Sequence, residues 1–316
     1  MNETDNKTLS RVFDVFGQQK MQEALTIIQE TFQVREDEIS DVRIIKKGIT
    51  NRSFVFSCAG QQYIMRISGI GTDEYINRED EQKTYSFLNH RGICDDVIYI
   101  NPKTGFKISV YWGQAHHCGY YDFDEIRVCM EKLKEFHQMK IHLENFYDFF
   151  GYIQYYEDLW KGAPSIFEDY EETKRDIFLL KDFIDTYPIE YSLTHIDPNP
   201  DNFLLFTDEN GENQVRLIDW EYAAMQDPHF DIAMFCIYTN YTEEQMDQII
   251  DFYFDHQCDE KTRLKIYCYI AVGAMNFSNW CEIKRGNGED IGELNHRMYT
   301  TAKRYFQKVN EKIKLR

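Results

Sequence analysis

The sequence predicts an α+β protein in which a small antiparallel sheet precedes a larger, mostly helical part. Three short apolar segments, 42–45, 54–56 and 63–67, follow one another with only turn residues between them, which is typical of antiparallel strands. From residue 124 onward, apolar residues recur at helical spacing. Because the strands come first and do not alternate with the helices, the order of elements favours an α+β fold.

The remaining elements are predicted from periodicity and from helix caps. Helices are expected over 20–32, 77–90, 124–137, 169–187, 261–284 and 289–309, another helix is expected to begin at the capping box Thr242–Gln245, and a strand is expected over 106–112. An Asn-Gly pair at 210–211 predicts a hairpin turn.

Length and composition fit a globular chain with one large domain or two lobes. The chain has 316 residues, of which 43% are apolar. We divide it into a polar N-terminal extension (1–19), a domain that contains the sheet (20–112) and a helical domain (113–316).

Charge and cysteine content exclude several classes of partner. The net charge of −19 argues against a nucleic-acid partner and favours a cationic co-substrate. No apolar stretch reaches the ~18 residues of a membrane span, so membrane insertion is not expected. Eight cysteines without a Cys-x-x-Cys pair, behind an N-terminus that lacks an apolar signal core, predict a cytoplasmic protein with reduced thiols. A monomer and a homodimer both remain open.

The strongest chemical signal is a motif in the second half of the chain. His195, Asp197 and Asn202 follow the pattern His-x-Asp-x-x-x-x-Asn, which is the spacing of a kinase catalytic loop. The strand that returns from the hairpin ends at Asp219. Phosphoryl transfer needs a carboxylate to orient the attacking hydroxyl and oxygen ligands to hold Mg²⁺ on the ATP phosphates. We therefore predict Asp197 as the catalytic base and Asn202 and Asp219 as Mg²⁺ ligands. The alternative is a polar surface turn between two strands.

The first turn of the sheet is a candidate phosphate-binding segment. In a kinase fold this turn covers the ATP phosphates, and here it contains Gly48, Thr50, Asn51 and Ser53. Gly48 would allow close approach of the backbone, and the other three side chains offer hydrogen-bond donors. The alternative is an ordinary hairpin.

A cation and a carboxylate complete the predicted nucleotide site. Arg66 stands where a kinase fold keeps its phosphate-binding cation, and we expect it to pair with Glu81 on the following helix, with Glu79 as the competitor. The backbone around Val110 and Trp112 is expected to meet the adenine ring. A strand arginine that simply faces solvent is the alternative for Arg66.

Taken together, these residues resemble the choline/ethanolamine kinase family, a branch of the aminoglycoside-phosphotransferase-like kinases. The matching segments are 47–51, 77–81, 195–203, 217–222, 227–233 and 288–292. The resemblance implies a bilobal protein-kinase-like fold and ATP-dependent phosphorylation of a small amino alcohol, most closely choline, with ATP and Mg²⁺ as cofactors. It places His195 and Asp231 in structural support of the catalytic loop. A helix-terminal cap is the other role open to Asp231.

The resemblance also suggests where the acceptor would bind. A quaternary ammonium has no proton to donate, so aromatic faces hold it through cation–π attraction. Where the family shows two tryptophans three residues apart, this chain has Phe277 and Trp280. Glu221, Tyr222 and Tyr241 are candidates for the rest of the site. The alternatives are a core-packing pair for Phe277 and Trp280 and a structural salt bridge for Glu221.

Two further functions stay open from the sequence alone. Similar folds phosphorylate ethanolamine, thiamine, methylthioribose or aminoglycosides, and a pseudokinase would bind nucleotide without catalysis. A protein kinase is disfavoured because the sequence contains no Asp-Phe-Gly or Ala-Pro-Glu segment.

Overall fold

The computed structural model describes residues 16–45, 51–69, 72 and 75–315. Contacts between residues divide the chain into two compact units. The N-terminal unit comprises the described residues up to His117 together with Leu204–Tyr222, and the C-terminal unit comprises Cys118–Phe203 and the residues from Ala223 onward. The five-stranded antiparallel sheet precedes most of the helices along the chain, so the predicted α+β class is confirmed.

The N-terminal unit is built on a five-stranded antiparallel sheet with the strand order β1-β2-β3-β5-β4. Its strands are β1 (Ser40–Ile44), β2 (Asn51–Cys58), β3 (Gln61–Ser68), β4 (Val97–Ile100) and β5 (Lys107–Val110). The three predicted strands are therefore confirmed. β2 and β3 are joined by a two-residue turn in which Ala59 and Gly60 both have positive φ, 49° and 80°, as the twist of a tight hairpin requires.

Helix α1 (Gln18–Phe32) contributes to the core of this unit. The four apolar residues that the sequence places on one face are all buried: Met21, Ala24, Leu25 and Ile28. They belong to the same buried cluster as Phe54 and Phe56 of β2 and Met65 of β3. This packing confirms the helical periodicity of α1. Because side chains alternate along a strand, the residues next to Phe54, Phe56 and Met65 point to the opposite face of the sheet.

Helix α2 (Arg78–Leu88) begins where the sequence predicts. The Asn77 side chain caps it by accepting hydrogen bonds from the amides of Glu79 and Asp80 at 3.1 and 3.4 Å. The helix ends at Leu88, two residues before the predicted end. The side chain of Asn89 there exchanges two hydrogen bonds with the Val97 backbone, which turns the chain toward β4.

A second sheet of the N-terminal unit has the order β6-β8-β9, with β6 at His116–His117, β8 at Phe203–Thr207 and β9 at Asn213–Leu217. The predicted Asn-Gly turn connects β8 to β9 and is confirmed, with Gly211 at a φ of 83°. Residues 204–222 group with this unit, whereas the predicted division places them within 113–316. The Leu217 amide donates to the Ile93 carbonyl at 2.7 Å, which is one of the contacts that join them to it.

The C-terminal unit is mainly helical. Its helices are α3 (Phe123–Gln138), α4 (Phe149–Leu159), α5 (Tyr170–Ile184), α6 (His229–Ile237), α7 (Glu243–Tyr253), α8 (Glu260–Gly286) and α9 (Gly292–Ile313). Two short strands, β7 (Ser192–Thr194) and β10 (Ala224–Gln226), pair antiparallel. The capping box of Thr242 and Gln245 opens α7 as predicted.

Two of these helices have no clear signal in the sequence. Eight of the nine residues of α6 are buried, so it has no polar face to generate a helical pattern. In α4, Gly151 and the closely spaced aromatic residues of the Phe149–Leu159 segment obscure the periodicity in the same way. Among the described residues, no helix is both long and apolar enough to cross a bilayer.

Candidate active site

The predicted catalytic loop follows β7 and is held by one buried carboxylate. Asp231, on the first turn of α6, accepts hydrogen bonds from the backbone amides of His195 and Ile196 at 2.7 and 2.8 Å. These are the hydrogen bonds expected of a residue that braces the loop. Ile196 has a φ of 69°, a left-handed conformation that a β-branched residue rarely adopts. The backbone is therefore strained immediately before Asp197, as is common at functional sites.

A histidine that the sequence does not mark as functional supports Asp231 from α3. The Nε2 atom of His137 lies 3.0 Å from Asp231 Oδ2, and its Nδ1 atom lies 2.9 Å from the hydroxyl of Tyr253. His137 is buried. Its place on the apolar face of α3 is the only sequence signal, and that position suits a packing residue equally well.

Asn202 and Asp197 contact each other directly. The Asn202 Nδ2 atom donates to the Asp197 backbone carbonyl at 2.8 Å and lies 3.3 Å from Asp197 Oδ2. Because its amide nitrogen is committed in this way, the amide oxygen of Asn202 is the atom left to ligate a cation. An amide oxygen is a suitable ligand for Mg²⁺.

Tyr238 is a site residue that sequence reasoning missed. It follows the last residue of α6, and its hydroxyl donates a hydrogen bond to Asp197 Oδ1. Its ring centroid lies 5.1 Å from that of Phe277, and Phe277 lies 5.5 Å from Trp280 in an edge-to-face arrangement. The rings of Tyr238, Phe277 and Trp280 thus contact one another in sequence, and the first of them is hydrogen-bonded to Asp197 through its hydroxyl.

The predicted acceptor residues of this unit differ in accessibility. Phe277 is half-buried, whereas Trp280 is 8% exposed and has the Lys284 ammonium 5.2 Å from its ring centroid. Tyr241 is also buried, and its hydroxyl donates to the Tyr120 carbonyl at 2.6 Å. Within the described part of the chain, no ring contact joins Tyr241 to Phe277 or Trp280. The structure therefore brings Phe277 and Trp280 together, with Phe277 the more accessible.

The predicted pairing of Arg66 with Glu81 is confirmed in the N-terminal unit. Both Nη atoms of Arg66 donate to the Glu81 carboxylate, and the Nη2–Oε2 distance is 2.9 Å. The two residues are only 4% and 1% exposed. Burial alone would raise the pKa of Glu81, but the charges of Arg66 and Arg78 lower it to about 2. Glu81 is therefore a fixed anion that orients Arg66.

Arg78 is a second cation that sequence reasoning did not single out. Its Nη1 atom lies 2.9 Å from Glu81 and 2.8 Å from Glu221. Glu221 also accepts a hydrogen bond from Asn51 Nδ2 at 2.8 Å. The salt bridge given as the alternative role of Glu221 is thus the arrangement observed. The signal that could have found Arg78 is its spacing of three from Glu81 on the same helix.

Asp219 has the properties of a residue that could hold a cation. Its φ is 66°, its Oδ1 atom is buried without a hydrogen-bond partner, and that atom lies 3.7 Å from Arg66 Nη1. Burial raises the pKa of Asp219. One carboxylate oxygen each from Glu81, Asp219 and Glu221 lies within 4.8 Å of the others. The two glutamates are already paired with arginines, so Asp219 has the oxygen available for Mg²⁺, which prefers oxygen ligands.

The other predicted nucleotide residues lie on or near the sheet. Ser53 is directly opposite Arg66 in the β2–β3 pairing, so the two side chains point to the same face. The Val110 amide donates to the Asp96 carbonyl at 2.9 Å, and Trp112 stacks on Phe206 with ring centroids 4.9 Å apart.

Three predicted positions have less structural detail. Tyr222 lies half-buried in the turn after Glu221. Gly48 and Thr50 lie outside the described residues.

Comparison with known proteins identifies the family of this chain. A family model described as choline/ethanolamine kinase matches residues 42–272. The protein LicA of Haemophilus influenzae is 22% identical over 272 residues, which cover 78% of this chain and 74% of that protein.

Solved structures show the same relationship at the level of the fold. The choline kinase LicA from Streptococcus pneumoniae is 24% identical, with a TM-score of 0.76 over 90% of this chain and 98% of that chain. A structure of LicA in complex with AMP is also 24% identical and gives a TM-score of 0.71 over the same shares. These likenesses confirm the predicted protein-kinase-like fold.

Proposed function

Because this chain belongs to the choline/ethanolamine kinase family, and is therefore a small-molecule kinase, we propose that it transfers the γ-phosphoryl group of ATP to the hydroxyl of choline. The observation that carries the proposal is the environment of Asp197. Its loop is clamped by Asp231, and aromatic rings begin at its own carboxylate through Tyr238 and Phe277. A base that adjoins aromatic faces suits an alcohol that carries a cation.

Asp197 would act on the acceptor. Its carboxylate would accept the hydrogen bond of the choline hydroxyl and orient the oxygen toward the γ-phosphorus. It would take the hydroxyl proton as the new P–O bond forms and the bond between the γ-phosphorus and the β–γ bridging oxygen breaks, so that ADP leaves with that oxygen. When bound, Mg²⁺ would offset the negative charge of the phosphates, and Asn202 and Asp219 are the residues proposed to hold it. The free amide oxygen of Asn202 and the unpartnered Oδ1 of Asp219 support this assignment.

The N-terminal unit would bind the nucleotide. Arg66, fixed by Glu81, is proposed to contact the phosphates, and Ser53 on the same face of the sheet is proposed to donate a hydrogen bond to them. Asn51 is held by Glu221 and would complete this surface, together with Gly48 and Thr50. The backbone of Val110 and Trp112 is proposed to meet adenine.

The chemistry around Asp197 favours a quaternary ammonium over a primary amine. Tyr238, Asn199 and Asn202, which contact its carboxylate, are neutral side chains. A primary ammonium needs hydrogen-bond acceptors, preferably carboxylates, to replace its water shell. Glu221, the carboxylate predicted near the acceptor, is instead paired with Arg78. The rings of Tyr238 and Phe277 beside Asp197 supply the aromatic environment that choline needs.

The test is ADP release with Mg-ATP and choline, ethanolamine or an aminoglycoside as acceptor. We expect turnover with choline, and we expect Asp197→Asn to lower kcat by about 10²–10⁴-fold, since this is the usual contribution of a general base. Asp185→Asn is the matched control, because this exposed carboxylate contacts only Lys181 at 2.6 Å among the salt bridges described. Turnover only with another acceptor would retain the phosphoryl transfer and overturn choline. No turnover with any acceptor would favour a nucleotide-binding protein without catalysis.

A further inference from the structure

We propose that Tyr238 is a positioning residue with two roles: its hydroxyl holds the carboxylate of Asp197, and its ring forms one wall of the site for the acceptor's cation. The inference rests on the proposed function. It adds a residue for which the sequence motifs give no indication, and it explains how the base and the cation site are kept adjacent.

The first role follows from the geometry of helix α6. Asp231 and Tyr238 are seven residues apart, which is close to two helical turns, so both side chains project from the same face. Asp231 holds the backbone amides of His195 and Ile196, and Tyr238 donates its hydroxyl hydrogen to Asp197 Oδ1. One helix therefore holds the catalytic loop at its backbone and at the side chain of the base.

Holding the carboxylate has a chemical consequence. The terminal torsion of an aspartate is soft, so an unrestrained carboxylate rotates between many orientations. The Tyr238 hydroxyl occupies Oδ1, while Asn202 Nδ2 lies 3.3 Å from Oδ2 and 2.8 Å from the Asp197 carbonyl. These two contacts restrict the rotation of the carboxylate that would accept the hydroxyl of the acceptor. Restricting the rotation brings the reacting oxygen into an attacking geometry without a further loss of entropy.

The second role follows from the position of the Tyr238 ring. Its centroid lies 5.1 Å from that of Phe277, with 51° between the ring planes, and both residues are half-buried. Trp280, the third ring, is nearly buried and has the Lys284 ammonium near it. The accessible aromatic surface next to Asp197 is thus provided by Tyr238 and Phe277.

The size of choline makes this arrangement informative. Only two carbons separate its hydroxyl oxygen from its quaternary nitrogen, so the base and the aromatic wall must be immediate neighbours. Tyr238 meets this requirement because one end of its side chain contacts Asp197 and its ring contacts Phe277. The backbone is anchored as well, since the Tyr238 carbonyl accepts a hydrogen bond from Arg297 Nη2 of α9 at 2.9 Å.

Two substitutions separate the roles. Tyr238→Phe removes the hydroxyl and keeps the ring, so kcat should fall about tenfold or more with both choline and ethanolamine, because a hydrogen bond to a charged group is lost. The KM for choline and the preference for choline over ethanolamine should stay unchanged. Tyr238→Leu removes both features, so the KM for choline should also rise about threefold to thirtyfold and the preference should fall accordingly.

Tyr187→Phe is the matched control, because the Tyr187 hydroxyl donates to the Lys261 carbonyl at 2.9 Å, away from the proposed site. It should leave all kinetic constants unchanged.

An unchanged kcat in Tyr238→Phe would overturn the hydroxyl role. An equal loss of kcat/KM for choline and ethanolamine in Tyr238→Leu would overturn the ring role. If Tyr238→Leu does not fold, Tyr238→Phe still decides the first role and Tyr238→His, which keeps a smaller aromatic ring, decides the second. A wild-type enzyme that does not phosphorylate choline would overturn the proposed function itself, and that result is recognised before any variant is compared.

Discussion

Two residues of the candidate site, Ile196 and Asp219, have positive φ angles, 69° and 66°. Such a conformation costs about 1–3 kcal/mol in a residue other than glycine and persists only where other contacts enforce it. At Ile196 the enforcing contacts are the two hydrogen bonds that Asp231 accepts from the loop. The strain is thus tied to a single buried carboxylate, and the position of Asp197 depends on it.

Replacing Asp231 with Asn should therefore disturb both stability and turnover. An amide has one acceptor oxygen, so its NH₂ group would face one of the two loop amides and leave that amide unsatisfied. We expect a loss of about 1–3 kcal/mol in the free energy of unfolding and a lower kcat, measured by urea denaturation and by ADP release. Asp185→Asn should change the free energy of unfolding by no more than about 0.5 kcal/mol, and it should change kcat by no more than the factor that corresponds to this energy. A wild-type kcat in Asp231→Asn would contradict this account of the loop.

Sequence reasoning identified the site residues that belong to a motif, and it missed those brought in by tertiary contacts. The Arg66–Glu81 pair could be predicted because a kinase fold pairs its strand cation with a carboxylate on the following helix. The contacts of Arg78 with Glu221 and of Tyr238 with Asp197 could not, because these partners are 143 and 41 residues apart along the chain. No local pattern records such a contact.

At the scale of elements, prediction succeeded where one face of a helix or strand is buried and the other is exposed. Helices α1, α3 and α5 show this pattern and lie close to their predicted ranges. Helix α6 does not, since it is buried almost all around, although it carries Asp231 and is followed directly by Tyr238. The element that holds the predicted catalytic loop was therefore one with a weak periodic signal.

Helix α2 offers a test of how an element positions a site residue. Asn77 caps its N-terminus, and Glu81 lies one turn into the helix. Asn77→Ala should cost about 1 kcal/mol of stability, as the loss of a cap usually does, and should raise the KM for ATP because fraying displaces Glu81 from Arg66. Thr242→Ala, which removes the cap of α7, is the control. It should lose similar stability in thermal unfolding without changing the KM for ATP. Equal KM values in the two variants would contradict the link between α2 and the nucleotide.

At the scale of the whole molecule, each unit carries its own buried polar network. The N-terminal unit pairs Arg66 and Arg78 with Glu81 and Glu221. The C-terminal unit joins Asp227 to Lys265 and to the Tyr269 hydroxyl, with His229 beside them. Because buried charges are costly to leave unpaired, these networks make the stability of the protein sensitive to protonation.

The pH dependence of stability should report on His229. Burial, the largest influence, lowers its pKa to about 4, even though the charge of Asp227 opposes this shift. The unfolded chain therefore binds a proton near pH 6.5 that the folded chain does not bind until about pH 4. Stability falls as the pH drops through this range, by about 3 kcal/mol at most.

His229→Gln should make this decrease shallower, whereas His90→Gln, at an exposed histidine, should not. Urea denaturation between pH 7 and pH 4 measures the difference. Identical pH profiles for wild type and His229→Gln would show that His229 is not the group responsible.

The most direct test of the central claim is phosphorus NMR of the purified protein with Mg-ATP and choline. If the protein is a choline kinase, a phosphocholine resonance grows as the γ-phosphate resonance of ATP declines, and it is absent with Asp197→Asn. If ATP is converted only to ADP and inorganic phosphate, or remains intact while choline is unchanged, the claim that Asp197 directs phosphoryl transfer to choline is wrong.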